Sequence, residues 1–488
     1  MKNIRFSLTG GLSQEDLRHI HQEMLRVLWE TGIECRHQKT IDAVGSIPGV
    51  KIIGDRIRFA PHLVEEYVER ARRENPGEPI GDEITVTGPW NCLNIIDMDT
   101  SSVRPSTSAD VREMFKLVHV ANAGPICPVY PNNIHPRLQL LYMEKSGIEL
   151  TDGDGSHLEF GDTEMLEFCI AMYKAAGRKY HMDVQFPISP LRFDSSGLET
   201  VWNYMDRDDV TITATAAPIP QAGLTAPLPV AAGLVLGAAE AIASYMLARM
   251  IAGDKVDSHP QFRLDLIDMR YLTTVYSSPD HTLRALLLKD VYEFYYGRQK
   301  PGHFLQSNAK RVDAQAILER TSCMLTLAFA GFRRFCFGAG QLSMDEVFSP
   351  AMFVIDREIA RFVTHIIRGV DYEGAGGAAD LIAEVGPGGN FIAHDTTIEH
   401  MRSLFDSDIF PRTNIGQWRA AGEPDPEKTA TAKAKEMIAS HDFRLPDAAQ
   451  REIDEIYAEA ERRVRAADAP LPRRESLVLS PEPVEGAM

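Results

Sequence analysis

Six cysteines are scattered through 488 residues (Cys35, Cys92, Cys127, Cys169, Cys323 and Cys336), and no two stand in a CxxC pair. That spacing excludes a disulfide framework or a zinc ribbon and fits reduced thiols buried as small hydrophobes. HExxH, GxSxG, GxGxxG and the P-loop pattern are all missing, so no metalloprotease helix, nucleophile elbow or nucleotide cradle is signalled. Positive charge is scarce: Lys+Arg 51 against Asp+Glu 69 gives a net charge of −18, which argues against nucleic acid or an anionic membrane as the main partner. The opening "MKNIRFSLTGGLSQEDL" lacks the apolar core of a secretory signal, and a cytoplasmic location is expected. The most membrane-like run, Val230 to Gly253, is interrupted by Glu240 and Arg249 and rich in Ala and Gly, as a buried core helix would be.

What is present is a hydrophobic fraction of 44%, enough for a large core. "LSQEDLRHIHQEMLRVLWETGI" reads as an amphipathic helix with Ser13 as its N-cap and Gly32 as its stop. "PHLVEEYVERARREN" reads as a second helix, and "SADVREMFKLVHVAN" as a third, capped by Ser108. A rhythm of short apolar runs and longer helical patterns then follows. The strand-like runs are "GPICPVYPNN", "HMDVQFPISPL", "VTITATAAPIP", "KVDSHPQF", "HFLQSNAK" and "RFCFGAG". Strands alternating with helices, without a dinucleotide fingerprint, predict an α/β chain built as a (β/α)8 TIM barrel. The expected organisation is 1–105 as N-terminal helices and short strands capping the barrel, 106–370 as the barrel, 371–468 as a C-terminal helical extension and 469–488 as a disordered tail. In the extension, "GPGGN" (Gly386 to Asn390) is expected to stop a helix rather than cradle a phosphate.

In such a barrel the chemistry sits where strands end. Those ends offer one acid, Asp183, beside Gln185, and one imidazole, His259, as catalytic candidates. One His and one Asp fall short of the three protein ligands of a catalytic zinc, so no metal site is expected. Asn308, Lys310 and Arg311 follow the run "HFLQS" and precede a long helical pattern. Two cations at a helix N-terminus oppose its dipole, so an anion should join them, and the fork of Arg311 suits a carboxylate. Trp90, Tyr130, Phe186 and Phe348 lie close enough in sequence to strand ends to cage a quaternary ammonium by cation–π attraction. A carboxylate plus a quaternary amine is a betaine.

Four stretches resemble the trimethylamine methyltransferase family: "GGLSQEDLRHIHQEMLRVLWETGIEC", "LTAPLPVAAGLVLGAAEAIASYMLARMIAG", "FVIDREIARFVTHIIRGVD" and "DLIAEVGPGGNFIAHDTTIEHMR". The resemblance runs over nearly the whole chain. It implies a (β/α)8 barrel with helical additions. Founding members of the family carry pyrrolysine, which this sequence does not show, so it is similar to the non-pyrrolysine branch that includes glycine betaine:corrinoid methyltransferases. The implied reaction moves a methyl group from a quaternary amine to Co(I) of a corrinoid (cobalamin) held by a partner protein. The implied partners are a small betaine and that corrinoid protein, with no nucleic acid and no membrane; a homo-oligomer is compatible with a barrel of this size. Arg311, helped by Lys310, would anchor the carboxylate. Asp183 would oppose the ammonium or orient Arg311, and Gln185, His259 and Asn308 would form the polar wall. Carnitine, proline betaine or another N-methylated amine are alternative substrates, and a quaternary-amine-binding barrel without catalysis is the alternative of another class.

Overall fold

The computed structural model describes residues 2–75, 81–88, 92–124, 127–153, 161–297, 302–372 and 375–467. The first helix, Gln14–Arg26, starts where its sequence says: the Ser13 hydroxyl accepts from Asp16 N and the Asp16 carboxylate reaches back to Ser13 N, a closed capping box. Leu17, Ile20 and Met24 form its buried stripe. The helix runs on as a π-helical turn, Val27–Thr31, and ends at Gly32 with φ 75. A Cβ at Gly32 would lie 2.7 Å from Ile57 O, so both backbone angle and space demand glycine. The Ser108 expectation shifts by one residue: Thr107 is the cap, paired with Asp110, and Ser108 is the first residue of the helix Ser108–Val120.

The chain is mixed α/β, and its described strands form six sheets. Two of these are parallel ladders that frame the centre. In one, Tyr180–Gln185 pairs with Val210–Thr215, from Tyr180↔Val210 to Gln185↔Thr215. It is extended by single parallel bridges, Thr213↔Asp257 and Ala216↔Pro260. In the other, Gly302–Phe304 pairs with Arg334–Cys336, which pairs in turn with Thr85–Val86. Strands were thus expected at the right places but are short. Among the described residues, "KVDSHPQF" makes only isolated bridges, and "GPICPVYPNN" one, Cys92↔Val129. Hydrogen bonding among the described residues does not join the ladders into one ring. A five-stranded sheet at the N-terminal side joins 33–59 to Pro187–Ile188 and Arg192–Phe193.

Two apolar cores flank the ladders. One centres on the helix Val230–Ala252, which buries Leu234, Ile242, Met246 and most of its alanines against the N-terminal helices, as a core helix does. Its Glu240 is buried too and accepts from Ser189 Oγ and Leu191 N, both at 2.7 Å. The second core gathers the helices Ser108–Val120, Ala314–Phe329 and Pro350–Ile367. The helix Pro426–Ala439, the last but one described, packs back onto it through Ala430 and Ala434.

Within that second core lies a fully buried ion pair, Arg320 Nη1 to Asp356 Oδ2 at 2.9 Å. Arg320 also donates to Leu305 O at 2.6 Å, to Gly338 O at 3.0 Å and to Gln341 O. Gly340 N donates to Asp356 Oδ2 at 2.7 Å. The glycines of "FGAGQ" therefore serve packing: a Cβ at Gly338 would collide with the backbone carbonyl of Leu305. Removing one member of a buried pair leaves an uncompensated charge. Arg320→Met is expected to cost about 3–5 kcal/mol in urea unfolding. Arg320→Met combined with Asp356→Leu should lose clearly less than the single change; an equal or larger loss would show that the carbonyl bonds, not the ion pair, carry the effect.

Candidate functional site

Alternation along extended chain turns every second residue to the same side. On the segments that face the space between the two ladders, the odd-numbered residues are polar: His181 and Asp183, Thr213 and Thr215, then Asp257, His259, Gln261, Arg263 and Asp265. The opposite wall comes from His303, Phe304, Arg334 and Phe337. Together they enclose a cavity of 470 Å³, ample for a small polar ligand.

The polar groups are paired in short chains. Thr215 Oγ1 donates to Asp183 Oδ1. His181 lies 3.0 Å from Thr211 Oγ1 and 3.3 Å from Thr213 Oγ1. His259 Nε2 is 3.3 Å from Gln261 Nε2. Burial pulls the His259 imidazole below its ordinary value, with Asp257 and Asp183 opposing, so the neutral ring is favoured. Arg263 is held on two sides: its Nη2 donates to Asp265 Oδ2 at 2.8 Å, and its guanidinium lies 4.2 Å from the Phe304 ring centre. Behind it, His281 stands 4.0 Å from Asp265 and its ring centre 4.8 Å from that of His303. The cavity thus holds carboxylates, a fixed guanidinium and aromatic faces within one small volume. Such a lining suits a zwitterion. Among the described residues, no group of three His, Cys, Asp or Glu side chains is arranged to hold a metal ion.

Of the residues singled out from sequence, Asp183 and His259 line this cavity. Gln185 shares a strand face with Asp183 by alternation but is not among the residues lining this cavity; it borders a separate hollow of 330 Å³ that Asp183 also borders. Asn308 is engaged in the backbone: its Nδ2 donates to Thr274 O at 2.8 Å and its Oδ1 accepts from Tyr276 N at 2.7 Å. Lys310 and Arg311 are exposed and do not line the cavity. The helix begins only at Ala314, and its N-cap is Asp313, which accepts from Gln315 N and Ala316 N. The anion that the helix dipole calls for is therefore Asp313, and the two cations sit in the loop before it. Phe186 and Phe348 are core residues, 1% and 0% exposed, against Phe193 and Phe353. Tyr130 is partly buried beside the second core. Trp90 lies outside the described residues.

Sequence reasoning passed over Arg263, Asp257, Asp265, His281 and His303. A signal for three of them was present: "DSHPQFRLD" places a polar residue at every second position from Asp257 to Asp265, with Pro260, Phe262 and Leu264 between the later ones. The two histidines gave none: His281 sits between Asp280 and Thr282 in a helical pattern, and His303 opens an apolar run, with no partner close by in sequence.

The profile of the trimethylamine methyltransferase (MTTB) family matches residues 3–465 of this chain. A glycine betaine methyltransferase of Desulfitobacterium hafniense (strain Y51) is 25% identical over 91% of this chain and 94% of its own length. The trimethylamine methyltransferase MttB of Desulfitobacterium hafniense (strain DSM 10664 / DCB-2) is 24% identical over 88% of this chain and 90% of its own. The crystal structure of the Methanosarcina barkeri monomethylamine methyltransferase (MtmB) aligns with a TM-score of 0.39 and 11% identity over 95% of this chain and 88% of that one, too loose a likeness to carry an argument.

The buried imidazoles behind the cavity make the fold sensitive to acid. Burial draws His281 down from 6.5 to about 4, with Asp265 opposing. An unfolded histidine takes up its proton below about pH 6.5, whereas the folded one waits until about pH 4. Between those values the unfolded chain binds more protons, so stability is full above pH 6.5 and falls as pH falls. From about pH 7 to about pH 5 the loss from His281 is of order 2 kcal/mol. His281→Asn, which keeps an acceptor near Ser277 N, should flatten that slope in urea unfolding at the two pH values; an unchanged slope would mean that His281 is already protonated in the folded state.

Proposed function

The chain belongs to the trimethylamine methyltransferase family and is a methyltransferase, and from that premise we propose that it transfers a methyl group from a betaine to Co(I) of a corrinoid protein. In this reading the two parallel ladders are staves of a (β/α)8 barrel, and the 470 Å³ cavity is the substrate pocket. The observation that carries the proposal is the charge arrangement: Asp183 on one ladder, and on the neighbouring segment Arg263, held between Asp265 and Phe304.

The substrate carboxylate is assigned to Arg263, in place of the exposed Arg311. Asp265 fixes the guanidinium, so its fork is oriented before the ligand arrives. The ammonium end is assigned to the side of Asp183, with His259 neutral beside it. Methyl transfer is a displacement at carbon. The N–CH3 bond breaks, its electron pair stays on nitrogen, and the methyl group passes to cobalt, the co-substrate nucleophile. A neutral tertiary amine leaves, so no general acid is required. Positive charge on nitrogen fades along the way, and a bare carboxylate against it would favour the bound substrate over the transition state. The Thr215 hydroxyl donated to Asp183 tempers that carboxylate. The chain's contribution is then position, water exclusion and anchorage. The cavity would also admit carnitine or proline betaine.

The test is anaerobic: pure protein, Co(I) cobalamin and a panel of glycine betaine, carnitine, proline betaine, choline and trimethylamine, followed by the cobalt spectrum. Methyl-Co(III) is expected with a betaine and not with choline. If no compound methylates cobalt while one raises the Tm, the barrel binds quaternary amines without turning them over. Arg263→Ala should raise KM for the betaine about tenfold or more with kcat little changed, because a carboxylate anchor serves ground and transition states alike. An unaltered KM, or the same rise after Arg311→Ala, would remove Arg263 from that role.

A further inference from the structure

The wall that carries Arg263 is longer than its bridges suggest. The parallel pairing that begins at Thr213↔Asp257 and Ala216↔Pro260 resumes in the same register at Gln221↔Asp265 and Ala222↔Leu266. Hydrogen bonds carry it without a slip: Asp257 N to Ile212 O at 2.8 Å, Gln261 N to Ala216 O at 2.9 Å and Asp265 N to Pro220 O at 2.9 Å. No turn or bend interrupts 257–268. From Asp257 to Asp265 the chain is therefore one extended run, with a rise of about 3.3 Å per residue.

That run measures the cavity. Asp183 pairs with Thr213, which bridges to Asp257, so the two carboxylates stand at one level. Arg263 stands six residues further along than Asp257. Its guanidinium leans further still, toward Asp265. Six residues at strand rise amount to about 20 Å. Strand twist and the reach of the side chains bring the charged groups to roughly 15 Å from one another. A charged contact takes up about 4 Å at each end, which leaves roughly 7 Å for the ligand between its quaternary nitrogen and its carboxylate carbon. Glycine betaine, with a single methylene there, spans about 2.5 Å and cannot touch both ends. Each further methylene adds about 1.25 Å, so about four or five fill the distance.

The middle of the cavity fits such a spacer. Between Asp257 and Arg263 the same face presents His259 and Gln261, and burial favours the neutral form of His259. Tyr292, Phe304 and Phe337 flank them. A volume of 470 Å³ is also more than so small a molecule as glycine betaine needs.

Building on the methyltransferase reading above, we propose that the substrate is a long-chain betaine, an aliphatic acid whose terminal trimethylammonium group is separated from the carboxylate by about four or five methylenes. Arg263 holds the carboxylate, Asp183 and Asp257 face the ammonium, and the distance between them selects on chain length.

A homologous series tests this. Trimethylammonium carboxylates, lengthened one methylene at a time from glycine betaine, are titrated into the full chain by calorimetry without cobalt, and separately offered with Co(I) cobalamin. Affinity should peak near δ-valerobetaine or its next homologue, about tenfold or more above glycine betaine, and cobalt methylation should follow the same order. Asp183→Glu, which lengthens one end by a methylene, should move the optimum to a ligand one methylene shorter; an optimum left in place overturns the assignment of Asp183. Affinity that peaks at glycine betaine, or that ignores length, overturns the long spacer and leaves methyl transfer from a betaine standing. Long homologues that bind tightly while none methylates cobalt support the spacing and overturn the methyl-transfer reading. A length preference lost in Arg334→Ala and kept in Arg263→Ala overturns the proposal, because the carboxylate anchor then lies elsewhere.

Discussion

The buried pair Arg320–Asp356 is the constraint on which the rest of the structure hangs. One guanidinium is shared between a carboxylate on the helix Pro350–Ile367 and the carbonyls of Leu305, Gly338 and Gln341. Leu305 follows directly on one central strand, and Gly338 lies just past the next. A single side chain therefore sets the spacing of two strand ends and of the helix behind them. Arg320 Nε and Asp356 Oδ1 find no partner among the described residues, so the pair does not maximise stability. Its value is directional. An apolar residue could fill the volume but could not hold three carbonyls and one carboxylate in fixed relation.

That spacing matters because Phe304, one residue before Leu305, carries the aromatic face over which Arg263 lies. The cavity is polar through alternation, and its polarity is tolerable through pairing: Thr215 with Asp183, Gln261 with His259, Asp265 with Arg263. Behind this layer, burial keeps His281 and His303 neutral, and they fill the wall as aromatic bodies rather than as charges. A pocket lined by Asp183, Asp257 and Asp265 together with Arg263 and Arg334 presents both signs of charge within one volume. That property suits a zwitterion better than a simple cation.

The acidic surface has a similar logic. A net charge of −18 is spread over the chain, and the groove at the foot of the helix Pro350–Ile367 sets its cations against carboxylates: Arg361 with Glu358, Arg368 with Glu83 and Lys433 with Asp408.

Sequence alone determined the local features, because their causes are local. The capping box at Ser13 and Asp16, the stops at Gly32 and Gly386, the burial of the Val230–Ala252 helix and the positions of the parallel strands are all written in short-range pattern. Asp183 and His259 were legible as cavity residues for the same reason: strand alternation has a period of two and fixes which side chains share a face. Which cation reaches the cavity was decided only by tertiary structure. Arg311 and Arg263 look alike in sequence, each following an extended run. The helix after Arg311 starts only at Ala314 and is capped by Asp313, which leaves Arg311 in solvent. Arg263 is brought over Phe304, 41 residues away, by the packing of one ladder against another. No local rule encodes that encounter, because its cause is the fit of two surfaces that meet only when the chain has folded.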